Sequence, residues 1–409
     1  MTVEAPTEHA QRFLDTAAVI ASARRAAIAD RYGMESWAVE WRELAQLDAI
    51  ADEWRDLAAR ALSPNVFYEP AFALAAASAF GRGVGAVLVW SGALPRKLLG
   101  FFPARIATRR YGLRLPVLIG WTHPFAPLGT PLVDREAAEP VMAAWLAHIA
   151  GNDQLPGMLL LPYVPDEGPF AVALRAALRR AQLPTASFNR HSRALLAPAG
   201  GRSDYVERAL GPRKYRELRR TVRRLGEAGA SLFITATEPE EIAAGLDAFL
   251  ALEASGWKGE AGTAAACSDA VGDFVKAAIT TLAGEHKTEI DRLLLDGRTI
   301  AASITLRSGD GAWFWKIAYD EAQARFAPGV MLTALATERL AEDAGIAQTD
   351  SCATADHAVM NRTWSERLAL CDLLVGVRPG VPFARAERLE TLRIAALTAA
   401  KQTREWFHR

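Results

Sequence analysis

Between Thr288 and Cys352 the chain changes from a period of two to a period near four and back again, and few folds accept that order. Glu289-Ile-Asp-Arg-Leu-Leu-Leu295 breaks at Asp296-Gly297 and resumes as Thr299-Ile-Ala-Ala-Ser-Ile-Thr-Leu306. Asp-Gly between two apolar runs signals a hairpin, because both central positions of a type I′ turn need φ > 0. In the second run Ile300, Ala302, Ile304 and Leu306 fall on one face and Ala301, Ser303 and Thr305 on the other, which predicts a strand with one buried face. Ser308-Gly-Asp-Gly311 then turns the chain into Ala312-Trp-Phe-Trp-Lys-Ile-Ala-Tyr319, again rich in strand-favouring residues. The expectation is three antiparallel strands.

Asp320 to Ala327 is polar and loop-like, and Pro328-Gly329 opens a helix expected over Val330 to Ala344. Leu332, Ala336, Leu340 and Ala344 recur every four residues with Met331 and Leu335 beside them, while Glu338, Arg339, Glu342 and Asp343 take the wet side. Gly345 is placed to end the helix, and Ile346 to Ser351 reads as one more strand. Such a helix start presents backbone N–H groups and the positive dipole end, and Gly329 lets a phosphate come close to the backbone. Plain helix-start geometry is the competing explanation for the same glycine.

These strands, with Arg325-Phe-Ala-Pro-Gly-Val-Met331 at a helix start and a further strand behind, resemble the core of a GNAT-type N-acyltransferase. That resemblance implies a loop that grips the pyrophosphate of coenzyme A. Phe249-Leu-Ala-Leu-Glu-Ala-Ser-Gly-Trp-Lys-Gly259, Gly262-Thr263, Trp315-Lys-Ile-Ala-Tyr-Asp320 and Phe326-Ala-Pro-Gly329 are similar to the acyltransferase family that includes the cellulose-biosynthesis protein CelD, a distant relative of the Fem aminoacyltransferases. The likeness runs from about Trp37 to Pro379 and is most specific from Tyr215 onward. One position departs: GNAT enzymes usually carry a second glycine or alanine where Met331 stands, which implies a looser grip or a different donor.

At 409 residues the chain suggests two domains. Lysines plus arginines equal aspartates plus glutamates at 47 each, so no global field draws DNA or an anionic membrane toward it. Three widely spaced cysteines, Cys267, Cys352 and Cys371, give neither a disulfide framework nor a metal-ligand pattern, so no metal is expected. The N-terminus lacks a secretory apolar run, and the longest uncharged stretch, Leu115 to Val133, contains four prolines that exclude a membrane helix. The expectation is a soluble cytoplasmic protein.

Along the chain, residues 1–35 read as a frayed or loosely docked leader. Residues 36–200 begin with a strand, Ser36 to Glu40, and a helix, Trp41 to Ala61, whose Leu44, Leu47, Trp54, Leu57 and Ala58 have core spacing. A helix at Ala71 to Phe80 follows, then strands Ala86 to Trp90, Leu98 to Ala104 and Leu115 to Gly120, a proline-rich loop, helix Arg135 to Ala150, strand Met158 to Pro162 and helix Phe170 to Ala181. With helices Glu240 to Ala254 and Asp269 to Leu282 ahead of the opening strands, residues 231–380 repeat that order. The fold class is therefore α/β with a mixed sheet, in two tandem GNAT-like halves as the Fem resemblance also implies, the first degenerate and without coenzyme. Residues 201–230 form a connector whose Arg213 to Arg224 helix sets Arg216, Arg219, Arg220, Arg223 and Arg224 against an apolar side of Tyr215, Leu218, Val222 and Leu225. It is either a solvated link or a captor of polyanions: coenzyme phosphates, a nucleotide-linked sugar or an RNA stem. Strand Cys371 to Val377 and a helix within 381–409 close the chain, the helix covering either the core or a partner copy in a homo-oligomer.

Acyl transfer to an amine needs a polarised thioester oxygen, an ammonium that loses its proton and a thiolate that leaves. The resemblance puts a backbone N–H for the first task near Ile317, Ala318 and Tyr319, with Arg325, Phe326, Pro328, Gly329, Val330 and Met331 around the coenzyme. Glu253, Asp320, Asp350, Asp356 and His357 are the candidate bases, and no tyrosine follows Tyr319 to serve as the usual acid, a place His357 could fill. Trp257, Lys258, Trp315, Lys316 and Asp320 are the candidate acceptor-binding residues, flat indoles suiting a sugar ring or acyl chain, with Lys316 expected to point away from the face of Trp315. Core packing and surface ion pairs are the competing roles. The reading is an acyl-CoA-dependent N-acyltransferase, using acetyl-CoA or another acyl-CoA, that acts by direct transfer on a small-molecule amine or amino-sugar acceptor from envelope polysaccharide synthesis. A Fem-like aminoacyl-tRNA donor and a non-catalytic module for polysaccharide assembly remain as alternatives.

Overall fold

The computed structural model describes residues 37–92, 94–198, 204–255 and 268–407. They form two compact units, each assembled from separated chain segments: unit 1 from the chain up to Ser63, Gly83–Arg190 and Cys371–Arg409, and unit 2 from Pro64–Arg82 and His191–Leu370.

In unit 1, β1 (Ala38–Glu43), β2 (Val84–Trp90), β3 (Leu98–Ala107) and β4 (Val117–Gly120) are antiparallel neighbours, and β6 (Met158–Pro165) joins β4 in parallel. The short β5 (Leu132–Val133) pairs with β3. Successive residues of a strand face opposite sides, and here both sides are covered. Phe101 stacks on Trp54 of α1 (Ala51–Ala59) at 4.1 Å, and Phe102 on Trp145 of α3 (Ala138–Gly151), also at 4.1 Å. Helix α3 is the crossover that a parallel pair requires; α4 (Pro169–Arg180) packs against it.

The helix expected from Trp41 is shorter than its sequence suggests. Trp41 belongs to β1, opposite Val87, and Leu44, Leu47 and Ile50 are buried at a spacing of three. That spacing suits the tighter 3₁₀ turns found there, and the α-helix begins only at Ala51.

In unit 2 four antiparallel strands stand where three were expected: β8 (Ser231–Ala236), β9 (Thr288–Leu295), β10 (Arg298–Ser308) and β11 (Gly311–Tyr319). The parallel β12 (Gln348–Asp350) follows, reached through helix α8 (Pro328–Glu342). The strand β10 is buried on both faces, not one: Ser303 and Thr305 are as inaccessible as Ile304. Helix α6 (Pro239–Ser255) and helix α8 both pack on it, and the small and β-branched residues on its second face allow that approach. Helices α2 (Pro70–Phe80) and α7 (Asp269–Gly284) pack against each other, Phe72 edge-on to Phe274 at 5.3 Å.

Two strands pass from one unit to the other, β7 (Thr185–Leu196) and β13 (Glu366–Gly376). Helix α5 (Tyr205–Ala228) is broken at Gly211, whose φ of 72° and ψ of 164° are not helical, and Pro212 restarts it. A short α9 (Ala358–Thr363) and a long α10 (Phe383–Phe407) complete the chain. Four antiparallel strands, a crossover helix and a parallel fifth strand thus occur twice, as β1–β4, α3, β6 and as β8–β11, α8, β12. No described helix is long and apolar enough to cross a membrane.

Candidate functional site

The two edges of β11 are treated differently. Along one, β10 pairs from Gly311 to Tyr319; along the other, β12 pairs only at Gly311, Ala312 and Trp313. β12 ends at Asp350, opposite Trp313, so β11 runs on to Tyr319 without β12 beside it, at the carboxyl end where open sheets take ligands.

The chain leaves that end through a 3₁₀ turn, Glu321–Phe326, capped by Asp320, whose Oδ1 accepts from the N–H of Ala322 at 2.9 Å. Arg298 holds the other carboxylate oxygen at 3.1 Å, so Asp320 shapes the turn. Ala327 is left-handed (φ 45°, ψ 55°) and re-aims the backbone into α8, where Pro328 takes the first position. Val330 and Met331 both donate to the carbonyl of Ala327, at 3.0 and 3.1 Å. A Cβ on Gly329 would lie 2.8 Å from Cδ1 of Tyr319, so the helix start and the strand end touch through a glycine that a side chain would push apart. Met331 points inward, only 1% exposed, beside Leu225, Leu293 and Leu332, whereas Val330 stands 38% exposed on the rim. The methionine that replaces a small residue therefore does not fill the mouth of the helix.

Over that mouth lies a cavity of about 200 Å³. Phe326, Ala327 and Val330 form its floor, Lys214, Leu218 and Thr221 of α5 one wall, and Val359, Arg362 and Thr363 of α9 the other. Lys214 and Arg362 have no ion-pair partner among the described residues, and Glu217 contributes one carboxylate. Arg325 is exposed and lies 4.7 Å over the ring of Phe326. Sequence reasoning picked out the basic helix but not Lys214 within it, and it missed Arg362 altogether; α9 is only six residues long and has little periodicity to betray it.

The strand β11 carries a bulge. Ile304 pairs with Lys316 and Thr305 with Phe314, which leaves Trp315 as the extra residue. The bulge shifts the alternation, and Lys316 reaches the same side as Trp315. Its Nζ lies 5.8 Å over the indole and donates to Oε1 of Glu253 in α6 at 3.0 Å. Lys316 was expected to point away from that face; the inserted residue is why it does not. Glu253 is 2% exposed, and Trp315 packs edge-on to Phe72 and Phe274 at 5.7 and 6.5 Å.

Asp356 and His357 are both exposed. His357 caps α9, its Nδ1 accepting from the N–H of Met360 at 3.2 Å. Trp257 and Lys258 lie outside the described residues, as does Cys267. The structure thus sets the end of β11, Ile317 to Tyr319, beside the Arg325–Met331 turn, with Tyr319 against Gly329, joins Glu253 to Lys316, and places Asp356 and His357 at the start of α9. Among the described residues there is no cluster of three or more metal-capable side chains.

Helix α8 is anchored from below. Arg339 donates to Glu289 and Asp291 of β9 at 2.5 and 2.9 Å, and Thr235 of β8 donates to Asp291 at 2.7 Å. The Arg339 guanidinium is desolvated by burial, but the two carboxylates outweigh that and hold its pKa above the usual value. These bonds tie the last turns of α8 to β9.

Residues 212–358 match the model of an acetyltransferase (GNAT) domain, a stretch that runs from the restart of α5 to the start of α9. No curated protein matches the chain significantly. Among solved structures, FemX aligns over 80% of this chain and 95% of its own with a TM-score of 0.52 and 9% identity. The C-terminal domain of a putative lysylphosphatidylglycerol synthetase from Agrobacterium fabrum aligns over 86% and 96% with a TM-score of 0.51 and 13% identity. A conserved protein of unknown function from Bacteroides thetaiotaomicron aligns over 83% and 99% with a TM-score of 0.50 and 11% identity. At such identities the likeness is one of fold, and it spans both halves of the repeat.

Proposed function

We propose that the GNAT-type domain uses an acyl-CoA, acetyl-CoA or a longer homologue, to acylate the amine of a small molecule. The observation that carries this reading is the cavity at the mouth of α8, where Lys214 and Arg362 flank a helix start beside the open edge of β11. Two cations and a helix N-terminus suit a pyrophosphate, and the rest of the donor would run along the part of β11 beyond Trp313 that β12 does not pair.

The thioester carbonyl would come to rest against the strand end at Ile317, Ala318 and Tyr319, where a backbone N–H polarises it. The amine, entering as the free base after solvent takes its proton, attacks that carbon; the carbon–sulfur bond breaks, the nitrogen gives up a further proton to become the amide, and the departing thiolate takes up a proton through solvent. Glu253 is tied to Lys316, and His357 uses its Nδ1 as a helix cap, so neither is proposed as the essential base. An amino sugar or another precursor of envelope polysaccharide is the proposed acceptor class, and the cytoplasm the proposed compartment.

A second reading, transfer from an aminoacyl-tRNA, draws on the exposed arginine face of α5, Arg213, Arg216, Arg219, Arg220, Arg223 and Arg224. A thiol-release assay separates the readings: acetyl-CoA offered with a panel of amino sugars and other primary amines should liberate free thiol. Absence of release across the panel, together with tRNA binding that weakens steeply with salt, would move the assignment to the second reading.

A further inference from the structure

Unit 1 repeats the strand–helix–strand arrangement, but the end of its parallel strand pair is furnished differently. β4 and β6 pair in parallel at Leu118 with Leu159 and at Ile119 with Leu160, and β4 ends one residue later at Gly120. The loop after β4 returns to the β6 edge: Gly129 donates to the carbonyl of Tyr163 at 3.0 Å, and a Cβ on Gly129 would lie 2.0 Å from the carbonyl oxygen of Pro162. The chain's own backbone therefore fills part of the space past the strand pair. Helix α3 also begins without a glycine and carries Glu139 in its first turn, paired with Arg180 at 2.8 Å. An acidic first turn disfavours an anion at that helix mouth.

What remains is a cavity of about 240 Å³ lined by Arg105, Arg110, Gly120, Trp121, Asp372 and Arg393 among others. The carboxylates in and behind its wall are already satisfied. Arg110 and Arg393 donate to the fully buried Glu390 at 2.8 and 2.6 Å. Asp372 accepts from the N–H of Tyr163 at 3.0 Å and from Nδ2 of Asn189 at 2.6 Å. Three guanidinium groups and one carboxylate, Asp372, line the cavity, and the side chain of Arg105, exposed on β3, makes neither a hydrogen bond nor an ion pair among the described residues. A cation in the wall of a polar cavity, with every neighbouring acid engaged elsewhere, is arranged to meet an anion from solution.

We propose that this unit 1 cavity binds the oxyanion group, phosphate or carboxylate, of a small ligand, with Arg105 as the direct contact and the Arg110–Glu390–Arg393 cluster fixing the surrounding charge. The site is separate from the proposed donor cavity and does not depend on that assignment.

Calorimetry in a Lys214→Gln/Arg362→Gln background, which silences the cations of the donor cavity, tests it with inorganic pyrophosphate and with glutarate as probes. Saturable binding of at least one anion is expected, weakened about tenfold or more by adding Arg105→Gln and largely retained with Arg105→Lys. Pyrophosphate alone binding identifies a phosphate site, glutarate alone a carboxylate site, and both a general oxyanion site. Melting curves for the Arg105 variants should match the background. No heat with either probe, or equal affinity with and without the Arg105 guanidinium, would overturn the proposal.

Discussion

Gly329 and Tyr319 lie so close that a methyl group on the glycine would stand 2.8 Å from Cδ1 of the tyrosine ring. The contact joins the first turn of α8 to the last residue of β11, the two parts of the proposed donor cleft. Tyr319 is 38% exposed, so its ring has room to turn away. Gly329→Ala should therefore cost at most about 1 kcal/mol of stability while displacing the ring into the cleft. Melting should change little, and coenzyme A affinity should fall roughly tenfold. Unchanged affinity would mean that the donor does not use this contact.

The Glu253–Lys316 pair is almost wholly enclosed, with 1% and 12% of the two side chains exposed. Removing one partner leaves a buried charge uncompensated, so Glu253→Gln or Lys316→Met should each cost roughly 3 kcal/mol. The double variant should cost clearly less than the sum, as chemical denaturation would show. Additive costs would mean that the two charges are not coupled.

Lys214 and Arg362 approach the proposed pyrophosphate position from opposite walls. Their replacement by glutamine should raise the Kd for coenzyme A about tenfold each and flatten its dependence on salt, since each removes a charge-assisted contact. Dephospho and full-length coenzyme should suffer alike, because the pyrophosphate is common to both.

His123 in unit 1 is held neutral by burial, its pKa lowered to about 3. In the unfolded chain the ring takes a proton near pH 6.5, so below that pH the unfolded state binds the extra proton and the fold loses stability. The loss should proceed at about 1.4 kcal/mol per pH unit between pH 6.5 and pH 3. His123→Gln should remove that component of the slope in urea titrations at pH 7, 6 and 5; a variant as steep as the wild type would refute the assignment.

Cys352 is pushed well above the usual thiol pKa by burial and, secondarily, by Asp350, and Cys371 is raised to about 11 by burial and by Asp166. Neither forms an appreciable thiolate at neutral pH. Alkylation with iodoacetamide at pH 7.5 should leave these two sites largely unmodified and acyl transfer intact. Rapid inactivation tracking modification of either would indicate an acyl-cysteine intermediate instead.

Where periodicity is long and clean, the sequence was a good guide. The Asp296-Gly297 turn, the strands on either side of it and helix α8 after Pro328-Gly329 all lie where the residue pattern puts them. Losses came from three physical sources. The bulge at Trp315 adds one residue and reverses the facing of Lys316, which no alternation rule can foresee. The 3₁₀ spacing of Leu44, Leu47 and Ile50 resembles a helical stripe over so short a span. Elements such as β8 and α9, six residues each, are held by their neighbours more than by local preference, and α9 brings Arg362 into the site. Interleaving of the units is also a tertiary property: Pro64–Arg82 belongs with residues more than a hundred positions away, because the aromatic edge of α2 is completed by Phe274 and Trp315.

Whether the mouth of α8 holds the donor is decided by calorimetric titration of acetyl-CoA into the wild type and Gly329→Trp. Micromolar binding to the wild type, about −8 kcal/mol, is expected, and its loss when an indole occupies the mouth of α8. Absence of binding to the wild type, or equal binding to both proteins, would contradict a donor site at this helix.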